Sequence, residues 1–126
     1  MKFGDRAYAL QEDEIVARIL ASDETIGASN WLKRFPNGPF GSRDSRNPNE
    51  PHGLPLAPIV ARLAKAGAKK ILVHHGDRVF FVGLIVVLPS GAKARERVFK
   101  LERELSQICN QRVQKDFGQK YLYYSE

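Results

Sequence analysis

The feature that most constrains the fold is an apolar run from Val79 to Leu88, which only Gly83 interrupts. The run is too short to cross a bilayer as a helix, which takes about 20 apolar residues. In a strand it places apolar side chains on both faces of the sheet, because successive side chains alternate. Other layers must therefore cover both faces of the sheet that contains it.

The residues around this run predict the rest of a sheet. Lys69–His75 predicts a strand, Gly76–Asp77 a two-residue hairpin loop, and Arg78–Leu88 the long partner strand. Tyr121–Tyr124 predicts a short aromatic strand near the end of the chain. The central part of the sheet is therefore expected to be antiparallel.

Three segments have the apolar periodicity of amphipathic helices. A short helix is predicted over Gln11–Ala21, where acidic residues crowd the first turn. A second is predicted from Pro55 to the stop signal at Gly67, and a third from the N-cap Ser90 to Ile108. These helices are the candidates for the covering layers.

The order of these elements indicates an α+β fold in a single domain of residues 1–126. The closest pattern is a two-layer sandwich, ferredoxin-like βαββαβ or a close variant with an extra N-terminal helix and a long loop. The first strand of that pattern is assigned to Lys2–Leu10, where Phe3, Tyr8 and Leu10 favour a strand.

Residues 27–53 form a long Gly/Pro/Arg-rich loop in this interpretation, with no regular element of useful length. Its aromatic side chains alternate with cations, the combination with which single-stranded nucleic-acid sites stack bases and pair with phosphates. Two structural explanations compete with this functional one. In the first, Trp31, Leu32 and Phe35 anchor the loop in the core; in the second, residues 43–50 form a solvated tip. The candidate nucleic-acid-binding residues are Trp31, Lys33, Arg34, Phe40, Arg43 and Arg46.

The charge is unevenly distributed along the chain. The formal net charge is +6. Residues 1–26 hold three basic and six acidic side chains, a net charge of −3, whereas the other hundred residues hold 17 and 8, a net charge of +9. This separation favours an anionic partner, although a basic surface also serves solubility.

The residues that could carry catalysis give a weaker signal. His75 and Asp77 could form an acid-base pair at the hairpin tip, but a strand end leading into a turn explains both residues as well. Adjacent His74 and His75 point to opposite faces of a strand and do not share a metal. Cys109 is the only cysteine, which excludes an internal disulfide and multi-cysteine zinc sites. No cofactor and no metal are expected.

The leading hypothesis is therefore a small cytoplasmic nucleic-acid-binding or regulatory module that uses the basic, aromatic loop, with single strands favoured. One alternative is a small enzyme or metabolite-binding domain with the loop as its lid. Another is a protein-interaction adaptor or inhibitor. A homodimer is expected because a strand apolar on both faces needs two covering layers. No secretory signal, membrane segment or membrane partner is predicted.

Overall fold

The structure, a computed structural model, describes residues 2–36, 39–40, 54–75, 83–108 and 113–125. Within these residues the helices are α1 (Lys2–Leu20), α2 (Ala28–Arg34), α3 (Leu56–Ala66) and α4 (Ala92–Ile108). The strands are β1 (Thr25–Gly27), β2 (Pro39–Phe40), β3 (Leu54–Pro55), β4 (Lys70–His74), β5 (Gly83–Val87) and β6 (Tyr121–Ser125).

Four strands form one antiparallel sheet in the order β1-β4-β5-β6, and β2 pairs with β3 separately. The register aligns Val73 with Leu84 and Leu84 with Tyr124, all of them buried. The chain leaves β5 at Val87 and re-enters the sheet at its register partner Tyr121. Helix α4 and the connection after it therefore return the chain to the same end of the sheet.

One face of the sheet packs against α2, α3 and α4. Trp31, Leu63 and Leu105 from these helices join Leu84 and Leu122 of the sheet in one buried cluster. Side chains at alternate positions of β5 supply this face, as the strand period requires. The cluster is the main hydrophobic core of the described residues.

Helix α1 packs against β6 on the opposite side of the sheet from this core. Ile85, which points away from the main cluster, is fully buried, and so is Val16 of α1. The Asp13 carboxylate of α1 accepts hydrogen bonds from the backbone N–H groups of Lys120 (2.7 Å) and Tyr121 (3.2 Å). The expectation that both faces of β5 need a cover is confirmed at these residues, and α1 supplies the second cover.

The two helices with clear apolar stripes in the sequence are confirmed. Helix α3 buries Leu56, Ile59 and Leu63 on one side. It ends at Gly67, whose φ of 119° lies in the region that favours glycine. The N–H of Gly67 donates to the carbonyl of Ala64 at 3.1 Å, while the next N–H donates to that of Leu63 at 3.1 Å. These two bonds form a Schellman cap.

Helix α4 buries the stripe Val98, Leu101 and Leu105 against the sheet. Its outer side is charged, and Arg62 of α3 forms a two-bond ion pair with Glu104 of α4, at 3.2 Å and 2.8 Å. Both side chains are about half exposed, so the pair contributes little to stability. Packing of apolar side chains therefore fixes the position of α4.

The outer edge of β6 is paired with side chains instead of another strand. The side-chain amide of Gln114 donates to the Tyr123 carbonyl at 3.3 Å and accepts from the Tyr123 N–H at 3.4 Å. Asp13 satisfies Tyr121 on the same strand. A strand edge would otherwise present unpaired backbone groups to solvent.

Two parts of the sequence interpretation are wrong. Lys2–Leu10 is the first half of helix α1 and not a strand. Residues 27–53 contain a seven-residue helix, α2, and the short strand β2, where no regular element was expected. Burial of Trp31 and Ala28 against the core stabilises α2 even though Gly27 gives it no side-chain N-cap.

The α+β class is confirmed, since helices cover an antiparallel sheet. The ferredoxin-like βαββαβ order is not shown. In that arrangement another strand lies between the two strands that each helix joins, whereas here the four strands lie side by side in chain order, β1-β4-β5-β6. None of the helices in the described part of the chain has the length and apolar character needed to span a membrane.

Candidate nucleic-acid interface

Trp31 fixes α2 to the core. Its side chain is 2% exposed. Its ring centroid lies 4.5 Å from that of Phe35 and 6.4 Å from that of His75, and the His75 ring is parallel to it. The ring is therefore enclosed by protein, which matches the anchoring explanation that the sequence left open. A base could stack on Trp31 only if the ring left this enclosure.

Lys33 and Arg34 lie on the exposed side of the same helix. The Arg34 guanidinium lies 5.7 Å from the centre of the Phe35 ring, close enough for a cation–π contact. Both cations are therefore accessible to a ligand while Trp31 of the same helix stays buried.

The other predicted contacts are placed only in part. Phe40 belongs to the backbone of β2, which pairs with β3. Arg43 and Arg46 lie outside the described residues. The structure therefore places Lys33, Arg34 and Trp31 on one helix, with the Trp31 ring buried in the core. It does not test Phe40, Arg43 or Arg46 as contacts.

Three further cations were missed as site residues by the sequence interpretation. Lys65 lies in the last turn of α3, and Lys69 and Lys70 follow the Gly67 turn at the start of β4. All three are exposed. The adjacent lysines Lys69 and Lys70 were a usable signal, but they were assigned only to a strand. We call Lys33, Arg34, Lys65, Lys69 and Lys70 the basic surface.

A groove of about 250 Å³ lies between the start of α2 and the end of α3. Its lining is Gly27, Ala28, Ser29, Asn30, Val60, Ala64, Ala68, Lys69, Lys70 and Ile71. Lys69, Ser29 and Asn30 supply polar side chains to this lining, and its other side chains are mostly apolar. Lys70 alternates with Ile71 and Val73, which face the main core, so its side chain projects toward the opposite face of the sheet. The lining contains no carboxylate, so its chemistry suits an anion with a small apolar part.

The segments that form this groove carry cations and no carboxylate. The described residues 27–36 and 54–75 hold six Lys or Arg side chains and no Asp or Glu. One of the six, Arg62, is paired with Glu104 of α4. Helix α1, on the other side of the sheet, holds four acidic and three basic side chains.

The two described histidines have different surroundings. His75 lies beside Trp31, whereas His74 belongs to a cluster with Tyr123 and Glu24 that sequence spacing did not reveal. His74 Nδ1 lies 2.9 Å from the Tyr123 hydroxyl, and His74 Nε2 lies 4.0 Å from a Glu24 oxygen. Burial lowers the pKa of His74, against the raising effect of Glu24. Burial also raises the pKa of Tyr123, and the charges of Glu12 and Glu24 raise it further.

The pKa shifts of His74 and Tyr123 indicate which chemistry this cluster supports. A neutral imidazole between a carboxylate and a hydroxyl resembles the arrangement that activates a nucleophile. The raised pKa of Tyr123 opposes formation of the phenolate, so the cluster suits hydrogen bonding between strands better than nucleophilic attack. The predicted pairing of His75 with Asp77 is not tested, since Asp77 is outside the described residues.

Glu102 of α4 is another titratable group with hydrogen-bond partners. It is fully buried, and it accepts hydrogen bonds from the Ser106 hydroxyl and from the backbone N–H of Gln114 at 3.1 Å. It thereby holds the connection to β6 against the helix. Among the described residues, no group of three His, Cys, Asp or Glu side chains is placed to hold a metal ion.

No protein-family model matches this chain, and comparison with curated proteins and with solved structures gives no significant match.

Proposed function

We propose that this protein is a small nucleic-acid-binding module whose contact region is the basic surface on α2, α3 and the start of β4. The observation that carries the proposal is the uniform sign of charge over residues 27–36 and 54–75, which include no carboxylate. A cluster of exposed Lys and Arg side chains on one side of a domain is the usual electrostatic feature of a nucleic-acid site.

The contact would be made mainly to phosphates. Lysine and arginine side chains that neutralise phosphates release condensed counterions, which makes affinity depend steeply on salt. Lys33 and Arg34 project from one helix and Lys69 belongs to the segment beyond the groove, so these cations lie around a common area. Because such contacts do not read base edges, they support binding with little sequence preference.

The loop residues predicted from the sequence keep a place in this proposal. Phe40, Arg43 and Arg46 are proposed as additional contacts, with the aromatic ring for a base and the guanidinium groups for phosphates. We assign Trp31 the role of holding α2 in position, since its ring is enclosed by Phe35 and the core.

The test compares two variants from which the same number of charges is removed. Lys33, Arg34, Lys69 and Lys70 are replaced by alanine in one, and the exposed Lys93, Lys100, Lys115 and Lys120 in the control. Binding of labelled single- and double-stranded DNA and RNA is measured by fluorescence anisotropy over a series of salt concentrations. The first variant is expected to bind about tenfold or more weakly than the control, since it can no longer neutralise the phosphates that lie on the basic surface.

The salt dependence gives an independent measurement. The slope of log affinity against log salt falls by about 0.7 for each phosphate of a single strand that the protein no longer neutralises. The first variant should therefore have a distinctly flatter slope than the control. Equal weakening in the two variants would assign the binding to net charge alone. Absence of binding by the unmodified protein at low salt would reject the proposal and favour the metabolite-binding or adaptor alternatives.

We also propose that the protein is a homodimer that works in the cytoplasm. The dimer is supported by α1, where Tyr8 and Ile15 are 50% and 42% exposed. Residues seven apart lie on the same side of a helix, so these two side chains form one exposed strip of α1, the Tyr8–Ile15 strip, with Gln11 and Glu12 between them. Leu10 is also exposed, on the other flank of α1. Pairing through the Tyr8–Ile15 strip would leave the basic surface open.

A further inference from the structure

The lining of the groove beside the basic surface contains several small apolar side chains. We call Val60, Ala64 and Ala68 the floor of the groove; Ser29 belongs to α2, and Lys69 belongs to the segment just before β4. The floor has no aromatic ring on which a base could stack, and the groove has no carboxylate to repel a phosphate. A ligand that fits must therefore combine a negative group with a compact, weakly polar part.

We propose, on the basis of the proposed function, that this groove holds one sugar-phosphate unit of a single-stranded nucleic acid. The phosphate lies on the ammonium group of Lys69, and the sugar lies over Ala64 and Ala68. The Ser29 hydroxyl and the Asn30 amide can donate to a phosphate oxygen or bind a ribose hydroxyl.

The single strand is the form that can enter the groove. In a duplex each sugar is held beside its base pair, and the strand presents its phosphates outward along a wide, stiff surface. A single strand can turn its sugar toward an apolar floor, because its backbone torsions are free of the partner strand. The volume of about 250 Å³ is small, which limits the occupant to a unit of this size.

Helix α2 provides a path for the strand beyond the groove. Lys33 follows Ser29, and Arg34 follows Asn30, each by four residues, so each pair lies on one side of the helix. All four side chains are exposed. The advance along the helix is about 6 Å for four residues. A strand that leaves the groove at Ser29 therefore meets the next two cations directly along α2.

A variant that fills the groove without changing charge tests this inference. Ala64→Leu places a larger side chain on the floor, and Ala61→Leu places the same side chain one turn earlier in α3, outside the lining. Both alanines are exposed, so both variants should fold. Ser29→Leu fills the groove from the opposite side and serves as a second filling variant.

Fluorescence anisotropy with a labelled single-stranded oligonucleotide and its duplex, in both DNA and RNA, measures the effect. Ala64→Leu and Ser29→Leu should each weaken single-strand binding by about tenfold, as expected when a well-fitted site is overfilled. The salt slope should be unchanged, because every charge is retained. Ala61→Leu should bind like the unmodified protein, and duplex binding should be weaker than single-strand binding and insensitive to all three changes.

The outcomes separate the two proposals. If the unmodified protein binds no nucleic acid, the proposed function fails. If it binds, and its affinity falls when the basic surface is replaced but not when the groove is filled, the basic surface remains the contact region and the groove inference is wrong. Equal sensitivity of single-strand and duplex binding to the filling variants would also contradict it.

Discussion

The Glu102 carboxyl makes hydrogen bonds that stabilise the fold, but its burial makes ionisation of the same carboxyl unfavourable. Burial raises the pKa of its carboxyl, and this exceeds the lowering effects of Ser106, the Gln114 N–H, the Tyr124 hydroxyl and the charge of Arg103. The folded protein therefore holds the Glu102 proton more tightly than the unfolded chain does. Unfolding then becomes easier as pH rises from the unfolded pKa through the folded one.

Glu102→Gln should remove this part of the pH dependence. The neutral amide can accept the Gln114 N–H and donate to the Ser106 hydroxyl, so the hydrogen bonds have a replacement. We expect the variant to gain stability relative to the unmodified protein as pH rises above about 4, the ordinary pKa of a glutamate. Urea denaturation at several pH values, followed by far-ultraviolet circular dichroism, measures the difference.

Glu104→Gln is the matched control, since Arg62 lowers the pKa of Glu104 by hydrogen bonding. Its carboxylate contributes stability above the unfolded pKa, and that contribution disappears as pH falls. The control should therefore become less stable relative to the unmodified protein as pH rises. If the two substitutions shift stability in the same direction with pH, the burial argument for Glu102 is incorrect.

At the scale of elements, the Gly67 cap joins α3 to β4 and places Lys69 beside the groove. Two properties make glycine necessary there. The φ of 119° disfavours other residues, and an added Cβ would lie 3.1 Å from the Ala94 Cβ of α4. Gly118 has a φ of 83° as well, but an added Cβ would meet nothing within 4 Å.

Substitution by alanine at each glycine should separate these two effects. Gly118→Ala should lower the free energy of unfolding by about 1 kcal/mol, the cost of the left-handed backbone. Gly67→Ala should lower it by about 2 to 3 kcal/mol, because α3 and α4 must also move apart. Chemical denaturation measures both. Equal decreases would show that the contact with Ala94 is relieved without cost.

The elements that the sequence predicted are those with a long apolar period. Leu56, Ile59 and Leu63 repeat at helical spacing and end at a glycine, so α3 could be located from the residues alone. Strand β1 could not, because three residues carry no period and it forms only by pairing with Lys70–His74. Helix α2 depends on burial of Trp31, a tertiary contact that local residues do not specify.

Only part of the candidate site could be predicted from the sequence. Lys33 and Arg34 could be proposed because they stand next to Trp31 in the chain. Lys69 and Lys70 come from a distant segment, and only the folded sheet and the α2–α3 packing bring them to the same groove as Ser29. The Glu24 and Tyr123 contacts with His74 likewise arise only from strand pairing and packing.

On the scale of the whole molecule, the basic surface belongs to segments that contain no carboxylate, whereas α1 holds four acidic and three basic side chains. An uneven charge distribution of this kind orients an approaching polyanion before contact and increases the rate of association at low salt. The Tyr8–Ile15 strip lies on α1, outside the basic surface, and stays available for a second copy in the proposed dimer.

The proposed dimer predicts a defined response to one substitution. Ile15→Lys should convert the dimer to monomer, since it places a charge in the Tyr8–Ile15 strip, whereas Ala17→Lys on the opposite flank of α1 should not. Gel filtration with light scattering measures the mass of each protein over a range of concentrations. A monomeric unmodified protein at every concentration would rule out the dimer.

The paired outer edge of β6 restricts how the sheet could grow from one molecule into the next. An incoming strand would first have to displace the Gln114 amide from Tyr123 and the Asp13 carboxylate from Tyr121. The opposite edge offers only the three residues of β1. Neither edge is a long template for a continuous intermolecular sheet, so the described fold resists the strand-by-strand addition that begins fibril formation.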